Sequence, residues 1–498
     1  MKKGLSVMLF VLFVGCTLMF MPATVFATDG MNLEGYGPIA TGMGGASMAY
    51  DNGTAAMMNN PATLGLMPEG NRLDAALGYL GPHIKATCDS GPCAGQSESS
   101  SGTAYFMPAI GWIQKSGQMA YGVGMFAQGG MGTEYGGDSF LAAGSGEKVR
   151  SELSVGRLIV PFAYDVNNKL SLAASADLVW AGLDLKMALP GSAFLDMVGS
   201  FGGSQTYGSV SGTMIDAFGQ FVQQGVISNG QGGNPAPVNY GRFDFSNSND
   251  FTGKAMGYGF AGKIGGVYKI NDAVSVGLAY HSKTALGDLE ADGAKVSFNA
   301  NVDTGLSQGQ PATGVYVPAT VPLTGKIKIK DFQWPQMIGA GVAYQATDAL
   351  MVVFDYKWIN WADVMKNFKM VFTADSTQAG LAQGFAGTEL DATLFQKWKD
   401  QHVFMIGAGY KINPEWVVRA GLNITNNPIP DTYLNALFPA IEKNHVTVGA
   451  GYMISKASSV DASFAIAPEV KQTAGANGEG PTVTHSQTNA QVMYSYRF

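Results

Sequence analysis

Residues 484–498 read THSQTNAQVMYSYRF and end on an aromatic carboxyl terminus. Taken in twos, one set is Phe498, Tyr496, Tyr494, Val492 and Ala490; the other is Arg497, Ser495, Met493, Gln491 and Asn489. Successive strand side chains point to opposite faces, so this stretch is a strand with one apolar and one mostly polar face. A soluble sandwich buries such an apolar face, whereas a transmembrane barrel turns it to lipid and places aromatics at the interface. Recurrence and spacing decide between the two.

The alternation recurs along most of the chain. It begins at 71–79, 103–115 and 119–126, and continues at 149–166, 169–187, 253–270, 273–288 and 323–346. It ends with 349–370, 398–412, 415–426, 444–455, 458–468 and 484–498, fourteen strands in all. Short turns at Ser116-Gly117, Asn167-Asn168, Asn271-Asp272, Thr347-Asp348, Asn413-Pro414 and Lys456-Ala457 alternate with long connections, of which 188–252 and 289–322 are the longest. Short turns on one rim and long loops on the other are what an outer-membrane barrel shows. Tyr164, Tyr268, Tyr344, Tyr410 and Tyr452 each stand three residues before a short-turn residue, on the apolar parity. At one height and facing outward they would form an aromatic girdle. The expected fold is an all-β, 14-stranded antiparallel transmembrane barrel over residues 71–498, with both termini on the periplasmic side of a Gram-negative outer membrane.

Composition agrees. Charged residues make up 13% of the 498 and hydrophobic ones 46%, yet after residue 27 no apolar run approaches the roughly 20 residues of a spanning helix. Residues 1–27 carry the parts of a secretory signal: Lys2 and Lys3, an apolar stretch, and Val25-Phe26-Ala27 before the cut. Cys16 offers a lipoprotein alternative, but Phe13-Val14-Gly15 is a poor lipobox. The formal charge is −7, falling to about −9 without the two lysines. With no basic stripe, nucleic acid is not an expected partner. Cys88 and Cys93 remain in an oxidising compartment, where a loop disulfide is expected over a metal site.

Residues 28–70 are dense in Gly, Ala and Met, with no period of two, and read either as a flexible leader or as a compact plug. The inward parity of the strands favours the plug. It carries Gly257, Gly259, Gly265, Gly277, Gly339, Gly341, Gly407, Gly409, Gly449 and Gly451, and repeated glycine in strands marks close approach by another backbone. The few inward charges, Arg157, Lys263, Asp355, Lys357, Arg419 and Asp461, read as internal pairs, with Arg157 and Lys263 as candidates for a ligand carboxylate. In the loop 188–252, Met214, Phe218 and Phe221 fall at helical spacing, and Phe194, Met197 and Phe201 form a second stripe. These stripes either pack on one another or form an apolar ligand groove. The five histidines are scattered, so no catalytic set, metal or cofactor is expected.

The chain resembles the FadL-type outer-membrane transporters of long-chain fatty acids and related hydrophobic compounds. The resemblance lies in Gly42-Met43-Gly44-Gly45-Ala46, Asn60-Pro61-Ala62, Phe106-Met107-Pro108, the run from Phe126 to Tyr135, Trp358-Ile359-Asn360-Trp361 and the aromatic end. It implies a hatch at 28–70 with Asn60, Pro61 and Ala62 as its signature. It implies capture in outer loops, an inner site near the start of the mature chain, and a kinked third strand opening sideways, for which Gly129-Gly130 is the candidate. The expected partners are a hydrophobic small molecule, outer-membrane lipid, and the barrel assembly machinery through Phe498, with the protein a monomer. A diffusion porin, general or for aromatic hydrocarbons, is the alternative. Each buried methylene favours the apolar route by about 0.8 kcal/mol, so transfer needs no energy source.

Overall fold

The computed structural model describes residues 29–249 and 253–498, so the expected signal segment lies outside the described residues. One antiparallel sheet closes on itself. Gly70–Thr87 pairs with Tyr105–Ser116, and the ladder runs on through Met119–Tyr135, Val149–Asp165, Leu170–Pro190 and Ala255–Lys269. Val274–His281, Met337–Gln345, Leu350–Ile359, Gln401–Lys411 and Trp416–Thr425 follow. His445–Met453, Ser458–Thr473 and Thr482–Arg497 complete the ring, and the last of these pairs with Gly70–Thr87.

The fourteen-strand expectation is corrected by the sheet, which contains twenty-two strands among the described residues. That reading misses Ser97–Ser99, Gly208–Ser211, Val238–Phe245, Ala285–Leu286, Leu289–Asp303, Tyr316–Lys330, Asn367–Ala374 and Glu389–Phe395. Six of these form a canopy on the long-loop rim. Val238–Phe245 pairs with the end of Leu170–Pro190, and Leu289–Asp303, Tyr316–Lys330, Asn367–Ala374, Glu389–Phe395 and Gly208–Ser211 add on in that order. The stretches 323–346 and 349–370 each read as one strand because both halves alternate. In the structure Asp331, in the left-handed region (φ 59°), ends one piece of the first, and the short helix Trp361–Val364 interrupts the second.

The wall faces as its parity requires. Val492, Tyr494 and Tyr496 are exposed, while Met493 and Ser495 between them are buried. Tyr164, Tyr268, Tyr344 and Tyr452 are likewise exposed, and Tyr410 is half-buried. Tyr452 packs against Trp416 at 4.6 Å between ring centroids. Apolar side chains such as Tyr258 and Phe260, 64% and 68% exposed, are at home only against hydrocarbon.

Residues 29–69 are largely buried against the inward face of the ring. A Cβ on Gly277 would strike the Met48 carbonyl, and one on Gly407 the Met43 carbonyl, so these wall positions let the inner backbone approach. Gly257 and Gly259 depart from the expectation. They face Ala285 and Gly287, in the connection leading to the canopy, and Leu289 at its start instead. Asn60 donates from Nδ2 to the Met48 carbonyl (2.7 Å) and accepts the Ala62 N–H (3.1 Å), capping the turn Pro61–Leu66. Asp355 accepts the N–H groups of Ser47 and Met48, the latter at 2.9 Å.

Candidate functional site

The ring is interrupted at one place along Met119–Tyr135. Its pairing with Tyr105–Ser116 stops at Ala109 opposite Phe126. Beyond that point Tyr105, Phe106, Met107 and Pro108 pair only with the other neighbour, Leu80 to Leu77. Pro108 has no N–H to continue the ladder. On the opposite edge the register with Val149–Asp165 shifts between Ala127 and Gly129, leaving Gln128 as an extra residue that bends the strand. Contact resumes where the Ser101 N–H donates to the Glu134 carbonyl at 2.8 Å.

The start of the inner segment occupies the freed edge. The Gly130 N–H donates to the Met31 carbonyl at 3.1 Å, and Asn32 bridges Gly129 antiparallel. Tyr36 donates its hydroxyl to the Gln128 carbonyl at 2.6 Å. Backbone groups orphaned by the interruption are thereby paired.

A cavity of about 330 Å³ lies behind this break. Its walls include Met31, Leu33, Leu80, Met107, Met131, Leu153 and Val155, and it reaches Phe106, Met125 and Trp180 on the lipid side. Phe106 and Met125 are exposed, whereas Glu442, His485 and Gln487, which also line the cavity, are buried. Burial pushes the Asp29 carboxyl of the inner segment up to about 7, against the partial opposition of Lys357. Burial likewise raises Glu34, which lines the cavity. A second, small apolar pocket shares Met31 and Leu153 with the cavity and continues between Phe368, Trp398 and Phe438 toward the loops.

The residues singled out from sequence divide sharply. Gly129 and Gly130 line the cavity; Phe194, Met197, Phe201, Met214, Phe218, Phe221, Arg157 and Lys263 do not. The phenylalanines build the core beneath the canopy: Phe194 and Phe218 lie 5.3 and 6.0 Å from Phe298, and Phe221 lies 5.2 Å from Phe385. Met197 and Met214 are buried in that core, and Phe201 lies on its rim against Phe218. Arg157 and Lys263 both meet Asp177, Arg157 Nη1 at 2.7 Å, which satisfies them without a ligand. Arg419 pairs with Asp461 at 2.8 Å in the same way. Cys88 and Cys93 are joined in a disulfide. Sequence reasoning missed Met31, Trp180, Glu442 and His485. Only the Phe-Met-Pro and Gly-Gly signals pointed toward their neighbourhood.

Residues 17–497 match the family described as Outer membrane protein transport protein (OMPP1/FadL/TodX). The chain belongs to the OMPP1/FadL/TodX family. Among solved structures of similar fold, the toluene transporter TodX of P. putida is 29% identical, with a TM-score of 0.74 over 94% of this chain and 99% of that one. The toluene transporter TbuX of Ralstonia pickettii is 31% identical, with a TM-score of 0.69 over 94% of this chain and 99% of that one. Outer membrane protein P1 of Haemophilus influenzae is 24% identical over 209 residues, 42% of this chain. The chain spans 38% of the length of that relative. As an OMPP1/FadL/TodX member the protein is an outer membrane transport protein with a β-barrel wall.

Proposed function

We propose that this protein carries hydrophobic compounds passively across the outer membrane, with residues 28–70 as its plug and the break beside Gly129 as a sideways exit into lipid. The observation that carries this reading is the cavity itself. It joins buried lumen positions at Glu442 and Gln487 to lipid-facing Phe106 and Met125 at the one interruption in the ladder described above. Its size suits a monoaromatic, since an apolar cavity of about 150 Å³ already holds benzene. The toluene transporters TodX and TbuX support the same class. The small pocket at Phe368 and Phe438 offers an entry from the loops, in place of the groove expected at 188–252. An ion or sugar pore is disfavoured because inner backbone fills the lumen against Gly277, Gly407 and Gly421.

Uptake of labelled toluene and of a labelled fatty acid by deletion cells tests the proposal. Cells carrying the unaltered gene should accumulate at least one of them faster than cells without it. Ala127→Trp, which fills the cavity mouth, should cut that gain at least about tenfold, a loss of roughly 1.4 kcal/mol in the rate-limiting step, while the barrel still assembles. Equal uptake with and without the protein for every apolar compound would refute it.

A further inference from the structure

The two ends of the cavity differ in chemistry. Phe106, Met125 and Trp180 stand at the lipid end; Glu442, His485 and Gln487 stand at the buried end. His485 Nδ1 lies 3.0 Å from the Pro439 carbonyl oxygen. A carbonyl only accepts, so Nδ1 bears the hydrogen and Nε2 presents a lone pair. That Nε2 lies 3.1 Å from Glu442 Oε1. Both atoms are buried, and neither has a hydrogen-bond partner of good geometry.

Glu442 is 1% exposed. Burial first, and the nearby Glu34 second, hold its carboxyl well above the usual range. A protonated carboxyl can donate as well as accept. Among the described residues no lysine or arginine lines the cavity, whereas Glu34 and Glu152 do. A carboxylate ligand would therefore enter a low-dielectric site with no lysine or arginine on its walls to receive its charge. A pure hydrocarbon would leave Glu442 Oε1 and His485 Nε2 with only each other, in that poor geometry, as partners.

We infer that the cavity selects uncharged hydrophobes bearing one hydroxyl, such as alkylphenols, with the apolar part at Phe106, Met125 and Trp180 and the hydroxyl against Glu442 and His485. A hydroxyl fits because it donates to one member of the pair and accepts from the other. The inference rests on the cavity being the transport site, as proposed above.

Calorimetric binding to the full chain in detergent, with butylbenzene, 4-butylphenol and 4-butylbenzoate as probes, separates the possibilities. Transfer from water alone makes the phenol the weaker ligand, because its hydroxyl is desolvated. With the hydroxyl paired, 4-butylphenol should bind about tenfold tighter than butylbenzene, and 4-butylbenzoate should not bind. In Glu442→Leu the phenol-to-benzene preference should fall to unity or below. The ratio in the unaltered protein tests the inference even if that variant does not assemble. Phenol binding no tighter than butylbenzene would overturn the inference while leaving the transport reading standing. Failure of all three probes would remove both.

Discussion

The amide of Gly130, in the bent wall strand, donates to the carbonyl of Met31, near the start of the inner segment, across 3.1 Å. This contact couples the break in the wall to the inner segment. A strand edge that would otherwise be orphaned is held by residues that also line the cavity.

Gly129→Val tests that coupling. A Cβ at Gly129 would collide with the Met31 carbonyl, and overpacking of this kind typically costs about 1–3 kcal/mol. Amide exchange of residues 29–36 should accelerate, while exchange in Gln401–Lys411, on the opposite side of the ring, stays as it was.

Asp355→Leu should loosen the inner segment. The change removes the acceptor of the Ser47 and Met48 amides, at roughly 1–3 kcal/mol for each donor left unsatisfied. In planar bilayers the variant should conduct ions in bursts where the unaltered protein is closed.

Asp177→Ala should lower the temperature at which the barrel loses its heat-modifiable mobility on gels. It leaves Arg157 and Lys263 without their shared carboxylate, a loss of about 3–5 kcal/mol for a buried cation stripped of its partner. Lys263→Met, by contrast, should leave binding of apolar probes unchanged, since Lys263 does not line the cavity.

Phe218→Ala should destabilise the canopy by about 3–5 kcal/mol, because Phe218 packs on both Phe201 and Phe298. Proteolysis should appear first in 191–249, with ligand affinity in the cavity unaltered.

Seating of the inner segment should also depend on pH. The Asp29 carboxyl titrates at about 7 in the folded protein, above its ordinary 3.8. A raised acid favours the folded state when protonated, so its contribution is fullest below about pH 4 and is lost as the pH climbs toward 7. Glu34 shifts in the same direction. Amide exchange in residues 29–36, corrected for its intrinsic pH dependence, should show weaker protection at pH 8 than at pH 5. Asp29→Asn should reduce the difference.

Much of the wall was legible because its signal is local. Each residue of 484–498 reports its own face through the period of two, and Val492 and Tyr494 face outward in the structure as that period demands. Glycine reports on its partner in the same way. The bare positions at Gly277 and Gly407 registered an approaching backbone before Met48 and Met43 were seen to supply it. The canopy escaped notice because alternation looks the same whether its apolar face meets lipid or a second layer of protein. Leu323, Ile327 and Ile329 turn into a protein core by the same pattern that turns Val492 to the membrane. The helix Thr213–Gln223 poses a similar ambiguity: its stripe of Met214, Ile215 and Phe218 would read alike facing a ligand or Phe298.

By itself the sequence determined which side of each wall strand is apolar, where the tight turns fall, and that something must lie against the glycines. Tertiary structure alone decided which segments join the ring, which carboxylate holds Arg157 and Lys263, and that Met31, Trp180, Glu442 and His485 share one cavity. Period and composition are properties of neighbours along the chain, whereas closure of a ring brings together residues hundreds of positions apart, and no local pattern records who will be opposite whom.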